Sequence, residues 1–313
     1  MQFVGKRLIT FVITLILVSL LTFTAFNLIP GDPARVILGV NANEHQVEEL
    51  REELGLNQNL AEQYFSWLGG FVRGDVGDSI KYKAPILSMI SQRLPITFTL
   101  ALLAIIFTLI IAVPLALFAA WKKDSFAGKF VTTLMSINVS VPEFFLGVLF
   151  IWVFGLLLKL FTAGNYISYE DDLGGFVRYL ILPALAIAVS SSAMLVRYLY
   201  NAITQEMKKQ YVRTALSVGN RSWRVLYKHI LKNACIPAIT MLGMIISEIF
   251  SGSIIIEQVF SIPGIGRLLI SAIESRDFPL LQTIVIYIAV VVIVANTLVD
   301  IAMQAIDPRI RVS

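Results

Sequence analysis

The sequence predicts an all-α polytopic membrane protein with six transmembrane helices and both termini in the cytoplasm. Hydrophobic residues make up 57% of the 313 residues and charged residues only 15%, and the mean hydropathy is +0.78. In an ordinary soluble domain about a quarter of the residues are charged. Six stretches are also apolar for long enough to cross a hydrocarbon core about 30 Å thick, which takes about 20 helical residues. The bilayer is therefore the expected solvent for most of the chain.

The six predicted spans belong to a single transmembrane domain that covers residues 1–313. They run over residues 8–29, 94–121, 130–158, 179–196, 234–256 and 278–299. Lys6 and Arg7 precede the first span, as basic residues precede the apolar part of a secretory signal. This span is longer than such an apolar part, and no convincing cleavage site follows it. We therefore expect the first span to be a retained anchor.

The basic residues predict which connections face the cytoplasm, because Lys and Arg accumulate in short cytoplasmic loops beside membrane helices. They lie near both ends of the chain and between the second and third spans. The connection over residues 197–233 carries eight basic residues and one acid, Glu206. The connections over residues 30–93 and after the third span are acidic or mixed. These charges predict that both termini and residues 197–233 are inside, and that residues 30–93 are outside.

The first outer connection, residues 30–93, is long enough to form a small helical cap. Asn43 is followed three residues later by Gln46, which is the spacing of a capping box at a helix start. The apolar stripe of this helix is Val47, Leu50 and Leu54. Gly55 suits the end of the helix, and a second amphipathic stretch, LAEQYFSWL, follows. A solvated helical hairpin and a docking surface both fit this pattern.

The inner connection, residues 197–233, predicts two helices separated by a sharp turn. The fourth span can continue past the membrane through Tyr211 and Ala215 until Gly219, which suits the left-handed backbone of a helix end. Further apolar residues recur at the spacing of a helix with one apolar face; they are Trp223, Leu226, Tyr227, Ile230 and Leu231. Such a helix can lie on the anionic inner leaflet, or its apolar face can fit a groove on a cytoplasmic partner. The spacing alone leaves both interpretations open.

Several motifs resemble those of one known family. YVRTALSVG and HILKNACIP, which start at Tyr211 and His229, resemble the cytoplasmic EAA loop of binding-protein-dependent ATP-binding-cassette (ABC) importers. They have the form found in dipeptide, oligopeptide and nickel permeases. The other motifs, in chain order, are GDPARVILG, LREELGLNQNL, GDVGDS, SVPEFFLG, IIIEQVFSIPGIGRLL, RDFPLLQ and DPRIR. Together these motifs extend over nearly the whole chain.

The resemblance implies the type I ABC importer permease fold and a permease subunit in a bacterial or archaeal cytoplasmic membrane. The implied partners, besides the lipid bilayer, are a homologous second permease subunit, two ABC ATPase subunits that bind ATP and Mg²⁺, and an outer substrate-binding protein. The coupling loop, residues 197–233, would carry nucleotide-driven closure of the ATPase subunits to the membrane helices. The implied coupling residues are Arg213, Thr214, Ala215, Gly219, Trp223, Leu226, Tyr227 and Ile230.

The loop departs from the general family pattern at two places. Arg213 and Thr214 stand where the loop usually has Glu-Ala, and Leu231 and Lys232 stand where it usually has Leu-Pro. Such changes are found in the peptide and nickel subgroup. They therefore leave the assignment of the loop unchanged.

The chain carries none of the sequence motifs of an ATPase or a metalloenzyme. No GxxxxGK[ST] phosphate-binding loop occurs, so ATP hydrolysis would belong to partner subunits, and we expect no cofactor on this chain. His45 and His229 are isolated, without an HExxH motif or a Cys/His cluster for a metal ion. The net charge of +4 is too small to suggest nucleic acid as a partner. We therefore expect a permease and not an enzyme.

The cargo and the energy source leave alternatives open. Short peptides are the expected cargo, but nickel or metal-chelate permeases share the same motifs. A secondary carrier driven by ions is a further alternative. Such a carrier is expected to contain internal repeats with broken helices. No clear repeat is present, although Pro114 and Pro142 can kink their helices.

Three polar residues within the apolar stretches are candidates for the translocation path. Glu143 and Glu248 lie near the middle of their stretches, where an ionised acid that faces lipid costs about 2.5 kcal/mol or more. Each acid should therefore face protein or a watery cavity. It can be a hydrogen-bonded structural group, or it can favour a cationic part of the cargo. Asn138 is the third candidate.

Overall fold

The computed structural model describes residues 2–28, 33–38, 42–53, 55–161 and 164–306. The helices are α1 (Gln2–Leu28), α2 (Pro33–Leu38), α3 (Glu44–Glu53), α4 (Leu60–Arg73), α5 (Ile86–Trp121), α6 (Phe126–Asn138), α7 (Glu143–Phe150), α8 (Leu173–Glu206), α9 (Gln210–Ser217), α10 (Ser222–Val225), α11 (Leu231–Val259), α12 (Ile265–Ser275) and α13 (Phe278–Ile306). Two further turns, Ile151–Leu157 and Leu226–Ile230, are π-helical. The all-α class is confirmed. Leu54, the DPRIR motif and the side chains of Lys6 and Arg7 lie outside the described part.

Five single helices are long and apolar enough to cross a membrane. They are Ile9–Leu28, Ile86–Trp121, Leu173–Glu206, Met241–Val259 and Phe278–Val299. A sixth crossing consists of two helices, Phe126–Asn138 and Glu143–Leu157, which meet at an angle of 103°. By length and composition, the described residues therefore provide the six predicted crossings, and one of them is broken.

The third span differs from the single helix predicted over residues 130–158. The helix ends at Asn138 and a new one begins at Glu143. Pro142 explains the break, because proline has no N–H for a helical hydrogen bond and its ring disfavours helical backbone at the preceding residue. The break places Glu143 in the first turn of a helix and not in the middle of one.

One compact unit of the chain comprises Met1–Ile96 and Pro263–Ile293. Its apolar core combines side chains of α5, α12 and α13; they are Ile86, Met89, Ile90, Ile265, Leu268, Ala272, Leu280, Leu281 and Ile284. α5 begins at Ile86, within the predicted outer connection, because its first turns already direct apolar side chains into this core. The fully buried carboxylate of Asp277 accepts hydrogen bonds from the Ser79 hydroxyl (2.5 Å) and the Lys81 amide (3.1 Å). These bonds hold the loop before α5 against the start of α13.

The helical cap predicted in the outer connection is present in the same unit. The Asn43 amide donates to Gln46 Oε1 at 3.3 Å, which confirms the reach-back bond of the capping box. Gly55 adopts φ +67°, as expected at a helix end. α4 packs on α1, where the hydroxyl groups of Ser19 and Tyr64 lie 2.8 Å apart in a hydrogen bond. The cap is therefore fastened to the first span.

The second compact unit comprises Thr97–Ile262 and Val294–Ser313. α8 is the central helix of this unit. In its most apolar stretch of 18 residues 72% is buried, whereas the corresponding share is 17–39% in the other single spans. α6, α7 and α11 pack against α8. Small buried side chains such as Ala184, Ala188 and Ser192 allow this close approach. The arrangement places α7 and α11 beside one central helix.

Candidate functional site

The basic segment, residues 207–233, links the end of α8 to the first turn of α11. The sequence predicts that the fourth span continues through Ala215, and this prediction is wrong, because α8 ends at Glu206 and α9 begins only at Gln210. Lys209 has the extended backbone of a helix start, which separates the two helices. After α9, Gly219 adopts φ +88°, so the predicted left-handed turn is confirmed.

The second half of the basic segment runs directly into α11. Ser222–Val225 form one α-helical turn, Leu226–Ile230 are π-helical, and α11 starts at Leu231. A π-helical turn has i→i+5 hydrogen bonds, so the regular spacing of the α-helix is interrupted there. A stripe predicted from 3.6-residue spacing therefore does not stay on one face.

Burial divides the predicted apolar face into two sets. Leu226 and Ile230 are each only 2% exposed and pack inside the chain. Trp223 and Tyr227 are 46% and 63% exposed, and Val218 beside the turn is also exposed. The structure corrects the prediction of a single contact face: Leu226 and Ile230 stabilise the segment itself. Trp223 and Tyr227 remain accessible to another surface.

The three remaining residues that the sequence predicts for coupling lie on α9. Arg213 and Thr214 are exposed, whereas Ala215 is half-buried. The Ala215 carbonyl accepts a hydrogen bond of 3.0 Å from the side-chain amide of Asn220, which closes the end of α9. The exposed part of the basic segment thus combines basic, hydroxyl and aromatic side chains.

A hydrogen-bonded cluster joins the two ends of the basic segment. The Tyr211 hydroxyl donates to Glu206 Oε2 (2.8 Å) and accepts from Asn233 Nδ2 (3.1 Å). Lys209 Nζ lies 2.5 Å from Glu206 Oε1. Burial raises the pKa of Tyr211 above its ordinary value, so the phenol remains protonated at neutral pH and can donate. The sequence does not predict this cluster, because no periodic pattern relates Tyr211 to a residue 22 positions away.

The second candidate region is the span break, residues 138–143, together with the facing turn of α11. The Glu143 side chain lies against Gly252, where an added Cβ would overlap Glu143 Oε2. This oxygen is buried and accepts no hydrogen bond from the described residues. Glu248 lies one helical turn before Gly252 on α11 and is exposed. The structure therefore places Glu143 against the turn of α11 that follows Glu248, and Gly252 makes room for its side chain.

Asn138 has a different environment from the two acids. Its Nδ2 donates to the Val189 carbonyl of α8 at 2.6 Å. The bond ties the last residue of α6 to the central helix and so fixes one side of the span break. The side-chain amide of Asn138 is used in a hydrogen bond within the chain, whereas Glu143 Oε2 makes none with the described residues.

Two fully buried acids were not among the predicted site residues. The Glu257 carboxylate accepts a hydrogen bond from the Thr97 hydroxyl (2.6 Å), and Asp277 accepts the bonds described above. Both acids lie in motifs of the family resemblance, IIIEQVFSIPGIGRLL and RDFPLLQ, and that was the available signal. Their hydrogen bonds to neighbouring segments give them a structural role.

Comparison with known proteins shows similarity over the whole chain. The profile of the family described as "Binding-protein-dependent transport system inner membrane component" matches residues 112–312, and the profile of its N-terminal part matches residues 1–101. A "Probable peptide ABC transporter permease protein" of Sinorhizobium fredii is 34% identical, with 99% of each chain covered. The oligopeptide transport system permease protein AppB of Bacillus subtilis is 32% identical, also over 99% of each chain.

A solved structure with low sequence identity to this chain has a similar fold. The MetNI methionine ABC transporter, in an inward-facing conformation, contains a chain with a TM-score of 0.60 and 13% identity. The match covers 71% of this chain and 98% of that chain. At this identity the similarity concerns the fold alone.

Proposed function

Because the chain belongs to the family of binding-protein-dependent transport system inner membrane components, we propose that it forms the translocation path of an ATP-driven importer of short peptides. Family membership makes it a multi-pass inner-membrane permease subunit of an ABC importer. In such importers separate ATPase subunits hydrolyse ATP. Relatives named as peptide and oligopeptide permeases support peptides as the cargo. No observation favours nickel or metal chelates, and the family does not favour a secondary carrier.

The basic segment is the proposed contact with an ATPase subunit, and its exposed aromatic side chains carry this proposal. Trp223 and Tyr227 stand next to exposed basic residues, while Leu226 and Ile230 hold the segment from inside. Exposed aromatic residues on a firmly held support are typical of the few side chains that dominate a protein interface. The alternative, a helix lying on the inner leaflet, needs a broad exposed apolar face. Two of its predicted apolar residues are buried instead.

The other proposed partners follow from the same role. A homologous second permease subunit would complete the path, two ATPase subunits would bind ATP and Mg²⁺, and an outer substrate-binding protein would deliver the peptide. This chain would itself bind no cofactor. Removal of the ATPase subunits should therefore abolish uptake even when the membrane potential is intact. Uptake that follows the membrane potential without those subunits would favour a secondary carrier.

The contact with the ATPase can be tested with a matched pair of substitutions. Tyr227→Asp places a charge on the proposed contact, whereas Phe65→Asp makes the same kind of change at an exposed aromatic residue of α4, in the outer connection. Loss of one dominant aromatic contact costs about 2 kcal/mol, so ATPase recovered with the permease should fall more than tenfold for Tyr227→Asp. Phe65→Asp should leave recovery unchanged. Equal recovery from both variants would refute the contact.

The cytoplasmic position of the basic segment is tested by labelling. Ser66 and Ser222 are both exposed, and the single cysteine of the sequence, Cys235, is replaced by serine beforehand. In intact cells an impermeant thiol reagent should label Ser66→Cys and not Ser222→Cys. Labelling of Ser222→Cys would overturn the orientation predicted from the charges.

The span break is the proposed cation-selective part of the path. Glu143 lies against Gly252 of α11, one helical turn after Glu248, and Glu143 Oε2 is not used by a hydrogen bond within the described residues. A carboxylate in this state can accept a hydrogen bond from the ammonium group of a passing peptide. Asn138 contributes by fixing the end of α6. We propose that the two acids favour cargo with a positive charge.

A further inference from the structure

A single hydroxyl group closes the base of the basic segment, where its two ends meet. Tyr211 is the second residue of α9, and its hydroxyl bonds both to Glu206, the last residue of α8, and to Asn233, in the first turn of α11. α8 and α11 pack against each other along the second compact unit. The hydroxyl therefore connects the ends of the two helices to which the basic segment is attached.

The other side-chain hydrogen bonds shown for the basic segment are local. Thr214 and Ser217 bond to carbonyls one turn earlier in α9, and Asn220 bonds to Ala215. At the tip, no atom lies within 4 Å of the position that a Cβ would take on Gly219. The segment has two arms, α9 and residues 222–233, and it is open at its tip, Gly219. The polar connection between the two arms lies at the base of the segment.

Apolar packing also joins the two arms, but it constrains them less. Val212 of the first arm and Leu226 and Ile230 of the second are buried. Apolar contacts are non-directional, so they specify the relative orientation of the two arms less sharply than a directional bond does. A hydrogen bond weakens steeply when its angle or distance changes. The bonds of Tyr211 are therefore the contacts that fix the orientation of one arm relative to the other.

We propose that the Tyr211 hydroxyl is a joint that makes the cytoplasmic ends of α8 and α11 move together when an ATPase subunit displaces the basic segment. This inference rests on the proposed function, because it requires an ATPase subunit on that segment. Tyr211 touches neither cargo nor nucleotide in this role and is a positioning residue. Its phenol serves as donor to Glu206 and acceptor from Asn233, so removal of one oxygen atom breaks both bonds.

The direct test measures the distance between the two helix ends in the assembled importer. Spin labels are placed on Gln205 of α8 and Lys232 of α11, which are both exposed, in a chain with Cys235 replaced by serine. With the joint intact, the distance distribution should stay narrow when ATP is added. In Tyr211→Phe it should broaden or shift with ATP. Distributions that are identical with and without the hydroxyl would overturn the proposal.

The functional test measures ATP hydrolysis and uptake in the same vesicles. The complete importer is reconstituted with its ATPase subunits and binding protein, and the cargo is a mixture of radiolabelled di- and tripeptides. Tyr211→Phe should lower uptake per ATP hydrolysed at least roughly fivefold, the factor that corresponds to about 1 kcal/mol for each of the two hydrogen bonds lost. Tyr198→Phe, which removes the same oxygen from an exposed tyrosine of α8, should match the unaltered protein. A parallel fall of hydrolysis and uptake, with their ratio unchanged, would contradict the joint.

A second variant removes the bond from the opposite side. Asn233→Ala acts at an exposed residue, so it can carry the test even where Tyr211→Phe does not accumulate. The two substitutions break one shared bond, and the double variant should therefore lose little more coupling than Tyr211→Phe alone. Additive losses would show that the residues act separately. Recovery of the ATPase with the permease distinguishes failure of the proposed contact from failure of the proposed joint. The contact predicts that recovery is lost in Tyr227→Asp, and the joint requires that recovery is retained in Tyr211→Phe.

Discussion

The basic segment leaves aromatic side chains exposed, whereas the span break buries a carboxylate oxygen. At the base of the basic segment, Tyr211 forms hydrogen bonds with Glu206 and Asn233, while the side chain of Tyr227 remains exposed. At the span break, neighbouring helices pack closely, while Glu143 Oε2 accepts no hydrogen bond from the described residues. An apolar surface complements the first region, and a small group that donates hydrogen bonds complements the second. We therefore propose that the first region contacts a macromolecule and the second contacts cargo.

Glu257 shows what a structural acid looks like in the same unit. It is fully buried, as a charged group seldom is unless it is paired or hydrogen-bonded, and its carboxylate accepts a hydrogen bond from the Thr97 hydroxyl. Glu143 is only half-buried, and one of its oxygens lacks such a bond. Burial of an acid is therefore less informative about the path than the state of its hydrogen bonds.

The largest effect is expected from a charge inside the basic segment. Leu226→Asp would bury a carboxylate without a partner and should destabilise the segment by about 3 kcal/mol or more. The amount of folded permease in the membrane and its melting temperature should both fall. Tyr227→Asp, on the exposed side, should leave both quantities unchanged. Equal losses would show that the two sets of apolar residues are not distinct.

A backbone substitution at the tip of the segment should have the next largest effect. Gly219 has φ +88°, which a β-branched residue adopts only with strain of about 1–3 kcal/mol. Apart from the glycine and its chain neighbours, no atom lies within 4 Å of an added Cβ, so the cost comes from the backbone conformation and not from a clash with another residue. Gly219→Val should lower peptide uptake severalfold while membrane insertion survives. Gly219→Asn should stay close to the unaltered protein, since asparagine tolerates this backbone; an equal loss of uptake would contradict the explanation.

Neutral substitutions at the span break should have a smaller and selective effect. Glu143→Gln or Glu248→Gln should reduce uptake of a Lys-containing tripeptide roughly fivefold relative to a Gln-containing one, as for about 1 kcal/mol of charge interaction in a hydrated path. Recovery of the ATPase should not change. The measurement is competition between the two peptides in vesicles that contain the whole importer. Equal uptake of both peptides by both variants would reduce these acids to a structural role.

The smallest expected effect comes from moving the carboxylate without changing its charge. Gly252→Ala places a methyl group where Glu143 Oε2 lies, and the flexible end of that side chain can move aside. The preference for the Lys-containing peptide should weaken by about half of the change seen with Glu143→Gln. Gly155→Ala is the matched control, because its Cβ would make an ordinary contact with the Phe161 carbonyl. A change of preference in the control would assign the effect to helix packing.

Local features of the fold were predictable from the sequence. The six apolar stretches correspond to the candidate crossings, since their length and composition suffice. The capping box of Asn43 and Gln46 and the turn at Gly219 were also predictable, because each depends on residues a few positions apart. Pro142 indicated a kink, but the angle of 103° depends on packing against other helices.

The contacts on which the proposed roles depend join residues far apart in the chain. Tyr211 meets Asn233 across a turn, and Glu143 meets Gly252 from another helix. No spacing rule relates such pairs. The π-helical turn at Leu226–Ile230 also escaped prediction. This turn interrupts the regular helical spacing. The spacing predicts one apolar face, whereas Leu226 and Ile230 are buried and Trp223 and Tyr227 are exposed.

Site-specific cross-linking at Tyr227 tests the central claim most directly. In a chain with Cys235 replaced by serine, Tyr227→Cys is treated with a short bifunctional thiol reagent in membranes that contain the assembled importer. Cysteines are placed along the surface cleft of the ATPase subunit, and Phe65→Cys serves as the control. The proposed contact predicts an adduct with the combined mass of permease and ATPase from Tyr227→Cys and none from Phe65→Cys. Absence of that adduct at every cleft position, with the complex still assembled, would contradict the account.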